Sequence, residues 1–275
     1  SHPKAPENTK IKVKSRNSRE LVICRIVISA FLFTYLFFKL FMEHRFFDLN
    51  VKSRDFEEIT KRAEKLGLAG ICLVANSKEN LEEYHKKIEE IKKIAKLEII
   101  KGILIDEDKE KIVKIAKKNR KDFELILVKG GNYEINRIAC SSRYVDILST
   151  PGAGRKDCGI DHICCKDAKE NEVLIELNFR ELLKAKGMDR VRELHKMKEI
   201  VRLCKRFNTN FIVNSGAENI YELRGGRELA ALSYSLGATL EEALLANSEV
   251  PLKLIQKNRE KISQILKGVE LEYGR

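Results

Sequence analysis

The sequence of 275 residues contains few residues that interrupt regular structure, and it has no internal repeat. Only four prolines occur, and no proline-, glycine- or serine-rich linker divides the chain. Hydrophobic residues make up 43% of the chain and charged residues 34%, a composition typical of globular proteins. A chain of this length can bury a core as one large domain or as two small ones. Because no linker is present, one domain is the simpler prediction.

The seven cysteines lack the spacing of a metal site or of a disulfide framework. No Cys-x-x-Cys occurs, the number is odd, and Cys72 and Cys204 fall within apolar patterns. Cysteines distributed in this way serve as small hydrophobic side chains in a reducing compartment. The sequence therefore predicts a cytoplasmic protein that binds no zinc.

The positive charge is unevenly distributed. The chain has 53 lysines and arginines against 41 aspartates and glutamates, a net charge of +12. Residues 1–41 hold eight basic and two acidic residues, which leaves +6 for the remainder. This modest excess predicts a local basic face for a polyanion, and it excludes a surface that is basic throughout.

Residues 1–41 do not match the rest of the chain. A polar, basic stretch is followed by an apolar one, in which Ile26–Phe38 runs for thirteen residues without a charge. As a helix this run covers roughly 20 Å, against about 30 Å for a hydrocarbon core. Met42 precedes the first regular strand, so we expect 1–41 to be an upstream extension that is not native. A membrane anchor and a buried hydrophobic arm are the alternatives.

From Met42 onward, short β-rich runs alternate with amphipathic helical patterns. Ser53 and Asn76 are the expected N-caps of the first two helices. This alternation predicts parallel strands with right-handed crossovers, hence a TIM-like α/β barrel over residues 42–275. An open doubly wound sheet is the alternative, but no glycine-rich dinucleotide motif supports it. The seven predicted strands are Phe46–Val51, Ile71–Ala75, Ile99–Ile105, Glu124–Val128, Val145–Leu148, Val173–Asn178 and Asn210–Asn214.

A metal-dependent hydrolase is one function that this fold allows, because function in such barrels gathers at the C-terminal ends of the strands. Zinc and manganese favour histidine ligands near neutral pH. Only four histidines follow Met42, and Asp48-x-Asn50 stands where a hydrolytic barrel would carry His-x-His. The sequence therefore disfavours metal catalysis. The residues that could converge on a metal are Asp48, Asp106, Asp146, His162 and Glu176.

A phosphate-binding surface is the competing hypothesis. The loop Thr150–Lys156 contains two glycines and a proline and ends in Arg155-Lys156, so its backbone could approach a phosphate that the cations neutralise. A tight turn, Ser215-Gly216-Ala217, follows the seventh strand. Further cations near strand ends or turns are Lys52, Lys129, Arg180, Arg224 and Arg227.

Several ordered motifs resemble the ribonuclease P protein component 3 family of archaea, which also includes a subunit of eukaryotic nuclear ribonuclease P. The match extends from about residue 45 to 260, in order, so it is more specific than any single motif. One departure is Gly225-Gly226, where the family often has proline, and this puts the position of Arg227 in question. The motifs are Val145–Leu148, Gly159–His162, Val173–Asn178, Asn214–Ala217, Arg224–Leu232, Leu236–Ala238 and Glu242-Ala243.

The resemblance implies a barrel related to metal-dependent phosphoesterases but without their histidines. It implies a subunit of the ribonucleoprotein that removes the 5′ leader of precursor tRNA, in which the RNA and its magnesium ions perform the hydrolysis. The chain would then carry no catalytic residue and no cofactor. Its partners would be the ribonuclease P RNA, a small ferredoxin-like protein subunit, other ribonuclease P proteins and, indirectly, precursor tRNA. The expected RNA-binding residues are Lys52, Lys129, Arg155, Lys156, Arg180, Ser215, Arg224 and Arg227.

Overall fold

A computed structural model describes residues 44–266 of the chain, with side chains up to residue 264. The expectations for residues 1–41 therefore lie outside the described residues. Within 44–266, no helix combines the length and apolar character that a membrane crossing requires. The six cysteines of this part of the chain are free thiols, and five of them are buried.

Seven strands lie within residues 44–266, and each pairs in parallel with the next one along the chain. This arrangement confirms the predicted TIM-like barrel. The strands are β1 (Phe47–Val51), β2 (Gly70–Asn76), β3 (Glu98–Ile105), β4 (Leu125–Lys129), β5 (Ile147–Ser149), β6 (Leu174–Asn178) and β7 (Phe211–Asn214).

Helices connect successive strands and cover the outside of the barrel. Their N-caps are mostly aspartate or asparagine: Asp55, for example, accepts a hydrogen bond from the Glu58 backbone N–H at 2.8 Å. The predicted caps were wrong, because Ser53 lies earlier in the loop before α1 and Asn76 is the last residue of β2. The helices are α1 (Phe56–Lys65), α2 (Leu81–Ile94), α3 (Lys109–Asn119), α4 (Tyr133–Ser141), α5 (His162–Asn171), α6 (Phe179–Lys184), α7 (Gly187–Phe207), α8 (Gly226–Ser235), α9 (Leu240–Leu245) and α10 (Glu249–Leu266).

Side chains complete the barrel between β1 and β7. The Leu49 N–H donates to Asn214 Oδ1 at 2.9 Å. Asn247, which follows α9, accepts from the Phe47 N–H through its carbonyl at 2.8 Å and donates through Nδ2 to the Val213 carbonyl. These bonds replace an eighth strand and satisfy backbone groups that an open edge would leave unpaired.

Helix α10 crosses the N-terminal end of the barrel. Leu254 and Ile255 belong to the interior core cluster, and each such side chain contributes about 1.5–3 kcal/mol when fully buried. Asn258 Nδ2 donates to the Glu124 carbonyl at 2.8 Å. Arg259 Nε donates to Glu124 Oε1 at 2.5 Å. The helix therefore closes this end, and the opposite, C-terminal end forms an open mouth.

Candidate nucleic-acid interface

A buried polar cluster lies at the C-terminal mouth of the barrel and centres on Glu176. Asn50 Nδ2 and Asn214 Nδ2 donate to its Oε1 at 2.7 and 2.8 Å. Ser149 Oγ and Asn178 Nδ2 donate to its Oε2. An ionised carboxylate offers about four acceptor sites, so these donors occupy it fully. The glutamate therefore joins four strands, β1, β5, β6 and β7.

A local irregularity in β1 makes this cluster possible. The register of β1 against β2 shifts between Asp48 and Val51, as in a β-bulge. Leu49 is part of the interior core, and Asn50, the next residue, also reaches the interior, where it contacts Glu176. Regular alternation would direct Asn50 to the opposite face.

Asp48 organises the turn after β7. Its carboxylate accepts from the Ser215 N–H at 3.2 and 3.3 Å and from the Asn50 N–H at 3.3 Å. Complete burial raises the pKa of Asp48 to about 7, although these hydrogen bonds oppose the shift. The side chain therefore acts as a fixed acceptor for the Ser215-Gly216-Ala217 turn.

The five candidate metal ligands do not come together. Asp48 and Glu176 lie in the mouth, but Asp146 lies at the opposite end of β5, where it pairs with Arg120. Asp106 pairs with a lysine at the rim of the mouth, and His162 begins α5 on the outside. Across residues 44–266, no three histidine, cysteine, aspartate or glutamate side chains form a cluster that could hold a metal ion.

Three of the predicted cations surround one cleft. The cleft has a volume of about 670 Å³ and opens beside the mouth, and Lys52, Lys129 and Arg180 contribute to its lining. Lys129 Nζ lies 2.8 Å from Asp106 Oδ2, and both side chains are partly exposed. An exposed pair of this kind contributes little stability, about 0–1 kcal/mol, so its lysine remains open to exchange with a phosphate.

Arg180 and Arg54 hold the acidic side chains of the same cleft. Arg180 Nε donates to Glu222 at 2.7 Å, and its Nη2 donates to Glu218. Arg54 makes a two-pronged ion pair with Glu79. Only 13% of the Arg180 side chain is exposed, so this residue fixes the rim of the cleft more than it offers a free charge. The role of Arg54 could not be predicted from a local pattern, because its partner Glu79 lies 25 residues away along the chain.

Asn136 holds the loop that carries Arg155 and Lys156 in place. This role was not predicted from the sequence. Asn136 Nδ2 donates to the carbonyls of Pro151 at 2.9 Å and Gly159 at 2.6 Å. Gly159 has φ +79°, and a Cβ on it would lie 1.9 Å from the Pro151 carbonyl oxygen. Only glycine fits there, so the shape of this loop is fixed at both ends.

An aromatic ring lies close to two arginines beside this loop. The guanidinium carbons of Arg137 and Arg155 lie 4.8 and 5.9 Å from the centre of the Tyr133 ring. Arg155 also donates to the Asp157 carboxylate at 2.6 and 2.7 Å. Lys156 is exposed beside it. We call Tyr133, Arg137, Arg155 and Lys156 the tyrosine cluster, which offers a ring face together with positive charge.

The remaining predicted residues lie at the turn after β7 and at the start of α8. Ser215 is fully buried, and its Oγ accepts from the Ala217 N–H at 3.1 Å. Arg224 donates to two carbonyls and lies 5.2 Å from the Phe179 ring centre. Arg227 is exposed in the first turn of α8. Ser215 therefore shapes the turn, and the two arginines lie near the surface.

The Gly225-Gly226 turn is tightly packed. A Cβ on Gly226 would lie 2.1 Å from Phe46 Cγ, so a larger residue does not fit without movement. Gly225 is the N-cap of α8, with extended backbone angles. The start of α8 is thus held against Phe46, which fixes the backbone that carries Arg227.

Comparisons with known proteins agree with these features. The family model described as RNase P subunit p30 matches residues 45–263. Ribonuclease P protein component 3 of Methanothermobacter thermautotrophicus is 30% identical over 82% of this chain and 95% of its own length. That of Methanosarcina mazei is 33% identical over 79% of this chain and 90% of its own length.

A solved structure described as archaeal ribonuclease P with mature tRNA contains a similar chain. It is 30% identical, the TM-score is 0.72, and the match covers 83% of this chain and 96% of that one. The family match spans almost all the described residues, and the fold agrees with it. The resemblance seen in the motifs is confirmed, and the chain belongs to the RNase P subunit p30 family.

Proposed function

We propose that this chain is the protein component 3 subunit of a ribonuclease P, the ribonucleoprotein that removes the 5′ leader of precursor tRNA. The observation that carries this proposal is the match to 96% of a chain in the structure of archaeal ribonuclease P with mature tRNA. Because the match extends over the whole barrel, the proposal rests on the entire fold and not on one shared motif.

We assign the hydrolysis to the RNA and its magnesium ions and none of it to this chain. The geometry of the mouth supports this assignment. Both oxygens of Glu176 are occupied by neutral donors, and Asp48 holds backbone N–H groups. Neither carboxylate is positioned to activate a water molecule or to bind a metal in this arrangement.

The RNA contacts that we propose involve the cations of the cleft and of the tyrosine cluster, together with the start of α8. Phosphates would replace carboxylates such as Asp106 and Asp157 as partners of these cations, and each contact would release a counterion. The Tyr133 ring adds a stacking face for an unpaired base. Ser215 acts indirectly, through the turn. The contributing residues are Lys52, Lys129, Arg155, Lys156, Arg180, Arg224 and Arg227.

The proposed partners are the ribonuclease P RNA, a small ferredoxin-like protein subunit and other ribonuclease P proteins, with precursor tRNA reached through the particle. A cytoplasmic location accompanies this role. The protein itself would require no cofactor.

Reconstitution tests the proposal directly. The full chain is added to its ribonuclease P RNA and the partner subunits, and cleavage of precursor tRNA is measured at moderate magnesium. We expect faster cleavage with the chain than without it, and no cleavage by the purified protein alone. If the protein alone cleaved a generic phosphoester and lost that activity with a chelator, it would instead be an independent phosphoesterase.

A charge substitution tests the RNA contacts. Arg155→Ala should weaken RNA binding and reduce the slope of log affinity against log salt by about 0.7–0.9, the value for one phosphate contact. Lys61→Ala is the matched control, because Lys61 is an exposed cation that pairs with Glu57 on α1 and lines neither the cleft nor the tyrosine cluster. Equal slopes for the two variants would remove Arg155 from the interface.

A further inference from the structure

Most helices around the barrel carry acidic residues in the first turn, basic residues in the last turn, or both. Acidic residues lie in their first turns, at the C-terminal mouth, and basic residues lie in their last turns, just before the next strand begins. Each such charge stabilises the dipole of its helix, and the basic ones together add positive charge at the N-terminal end of the barrel. The acidic residues are Glu57, Glu58, Glu82, Glu83, Glu110, Glu134 and Asp189. The basic residues, which we call the basic rim, are Arg62, Lys65, Lys92, Lys93, Lys117, Lys118, Lys169, Lys205 and Arg206.

A second cleft opens at the same end. It has a volume of about 620 Å³ and lies between α4, α5 and α10. Arg143 and Tyr144 enter it from the loop before β5, and Lys257 and Lys261 enter it from α10. Val113 of α3 lines its edge, and Lys117 of the basic rim lies one helical turn further on the same face. The cleft therefore adjoins the basic rim at α3.

Three cations and one aromatic ring meet in this cleft. The guanidinium carbon of Arg143 lies 5.8 Å from the centre of the Tyr144 ring, and the ring is partly exposed. Two acidic residues, Glu170 and Glu172, also line the cleft, and Lys257 pairs with Glu172. Cations that can bind a phosphate, together with an aromatic face on which a base can stack, are the features that bind unpaired RNA.

The two lysines lie close enough to oppose each other's charge. Burial, followed by the charge of Lys261, lowers the pKa of Lys257 to about 8, and the charge of Asp146 opposes this shift. A bound phosphate would relieve the repulsion between two ammonium groups, because it supplies a negative charge to both. The cleft is thus better matched to an anion than to an uncharged ligand.

We infer that the N-terminal end of the barrel is a second RNA-binding surface, in which the cleft of Arg143, Tyr144, Lys257 and Lys261 takes the phosphate backbone and one unpaired base. The basic rim extends this surface around the barrel. The inference rests on the proposed function, since it takes the ribonuclease P RNA as the occupant. Parallel barrels usually bind their ligands at the mouth. The inference adds a binding face at the opposite end.

Two variants of the full chain test this inference on the ribonuclease P RNA. In the triple variant Arg143→Ala, Lys257→Ala, Lys261→Ala, we expect the salt slope to fall by about 2 to 3, which corresponds to three phosphate contacts. In Tyr144→Leu we expect affinity to fall by about fivefold or more, with the slope unchanged because no charge is lost. Lys253→Ala is the matched control, since Lys253 lies on α10 and is 75% exposed.

The outcomes separate the inference from the proposed function. If the native chain neither bound the RNA nor raised cleavage, the proposed function would fail. If the native chain did both and the two cleft variants behaved like Lys253→Ala, the second surface would be wrong. If the cleft variants bound RNA normally but no longer retained a protein subunit in the reconstituted particle, the cleft would bind a protein partner and the inference would be overturned. Urea unfolding checks the triple variant, and Tyr144→Leu provides the answer if that variant is unfolded.

Discussion

The C-terminal mouth and the N-terminal end of the barrel use buried charge in different ways. In the mouth, Glu176 is held by neutral amides and a hydroxyl. At the N-terminal end, Asp146 is held by a buried arginine, Arg120, at 2.6 Å. The exposed charge of the two ends also differs. Ion pairs and acidic helix starts surround the mouth, whereas basic helix ends surround the other end. The two ends therefore present positive charge differently, in ion pairs around the mouth and on helix ends at the N-terminal end.

The largest effect is expected from breaking the buried ion pair at the N-terminal end. Arg120 also donates to the carbonyls of Phe123 and Glu124 at 2.8 and 2.7 Å. Arg120→Leu would remove the arginine from both carbonyls and leave the buried Asp146 carboxylate with the Ile126 N–H but without a compensating positive charge. We expect the free energy of unfolding to fall by about 3–5 kcal/mol. Urea denaturation followed by circular dichroism measures this change.

The neighbouring cation supplies the control for that experiment. Lys121 is exposed, and Lys121→Leu should change stability by less than about 0.5 kcal/mol. A similar loss of stability in both variants would mean that leucine at this end of α3 is itself destabilising. The loss in Arg120→Leu could then not be assigned to the buried Arg120–Asp146 ion pair.

A smaller effect is expected in the mouth. Glu176→Gln keeps the size of the side chain but replaces one acceptor oxygen with an NH₂ group, which faces Ser149 or Asn178. At least one donor must rotate or lose its partner, which costs about 1–3 kcal/mol. The same denaturation experiment measures the loss, with the exposed Glu134→Gln as control. If Glu176→Gln were as damaging as Arg120→Leu, the contrast between the two ends would disappear.

The pH dependence of stability should reveal Asp48. Its pKa is raised from 3.8 to about 7 in the folded protein, so between about pH 4 and 7 the folded state keeps a proton that the unfolded state has lost. Stability should then decrease as the pH rises through this window, by at most about 1.4 kcal/mol per pH unit. In Asp48→Asn this contribution should vanish. Denaturation at pH 5, 6 and 7.5 tests it, and parallel curves for the native and variant proteins would contradict the assignment.

The sequence was sufficient for the fold because buried parallel strands leave continuous apolar runs. The run Ile99–Ile105 was predicted as a strand, and β3 spans Glu98–Ile105. Helix starts were harder to place. Ser53 was the expected cap of α1, but its hydroxyl donates to the Asp55 carbonyl, and Asp55 caps the helix. Several residues of one loop can cap a helix, and the loop conformation selects among them.

The site was only partly predictable, because its contacts join distant parts of the chain. Strand-end position was enough to place Lys52, Lys129 and Arg180 around one cleft. It could not reveal Asn136, whose role depends on two carbonyls 15 and 23 residues further along. Nor could it reveal which face Tyr144 reaches. Pairing across loops is set by the packed barrel, and a local pattern does not contain it.

The smallest effect is expected for Ser215, which lies in the turn of the mouth and was predicted to bind RNA. Its hydroxyl is buried and accepts from the Ala217 N–H, so it cannot reach a phosphate while the turn is intact. Ser215→Ala should cost about 1 kcal/mol of stability and leave RNA affinity and its salt slope unchanged. Filter binding beside urea denaturation separates the two effects. A loss of affinity without a loss of stability would show that the turn opens when RNA binds. Ser215 would then contact the RNA directly, in addition to the surface cations of the mouth.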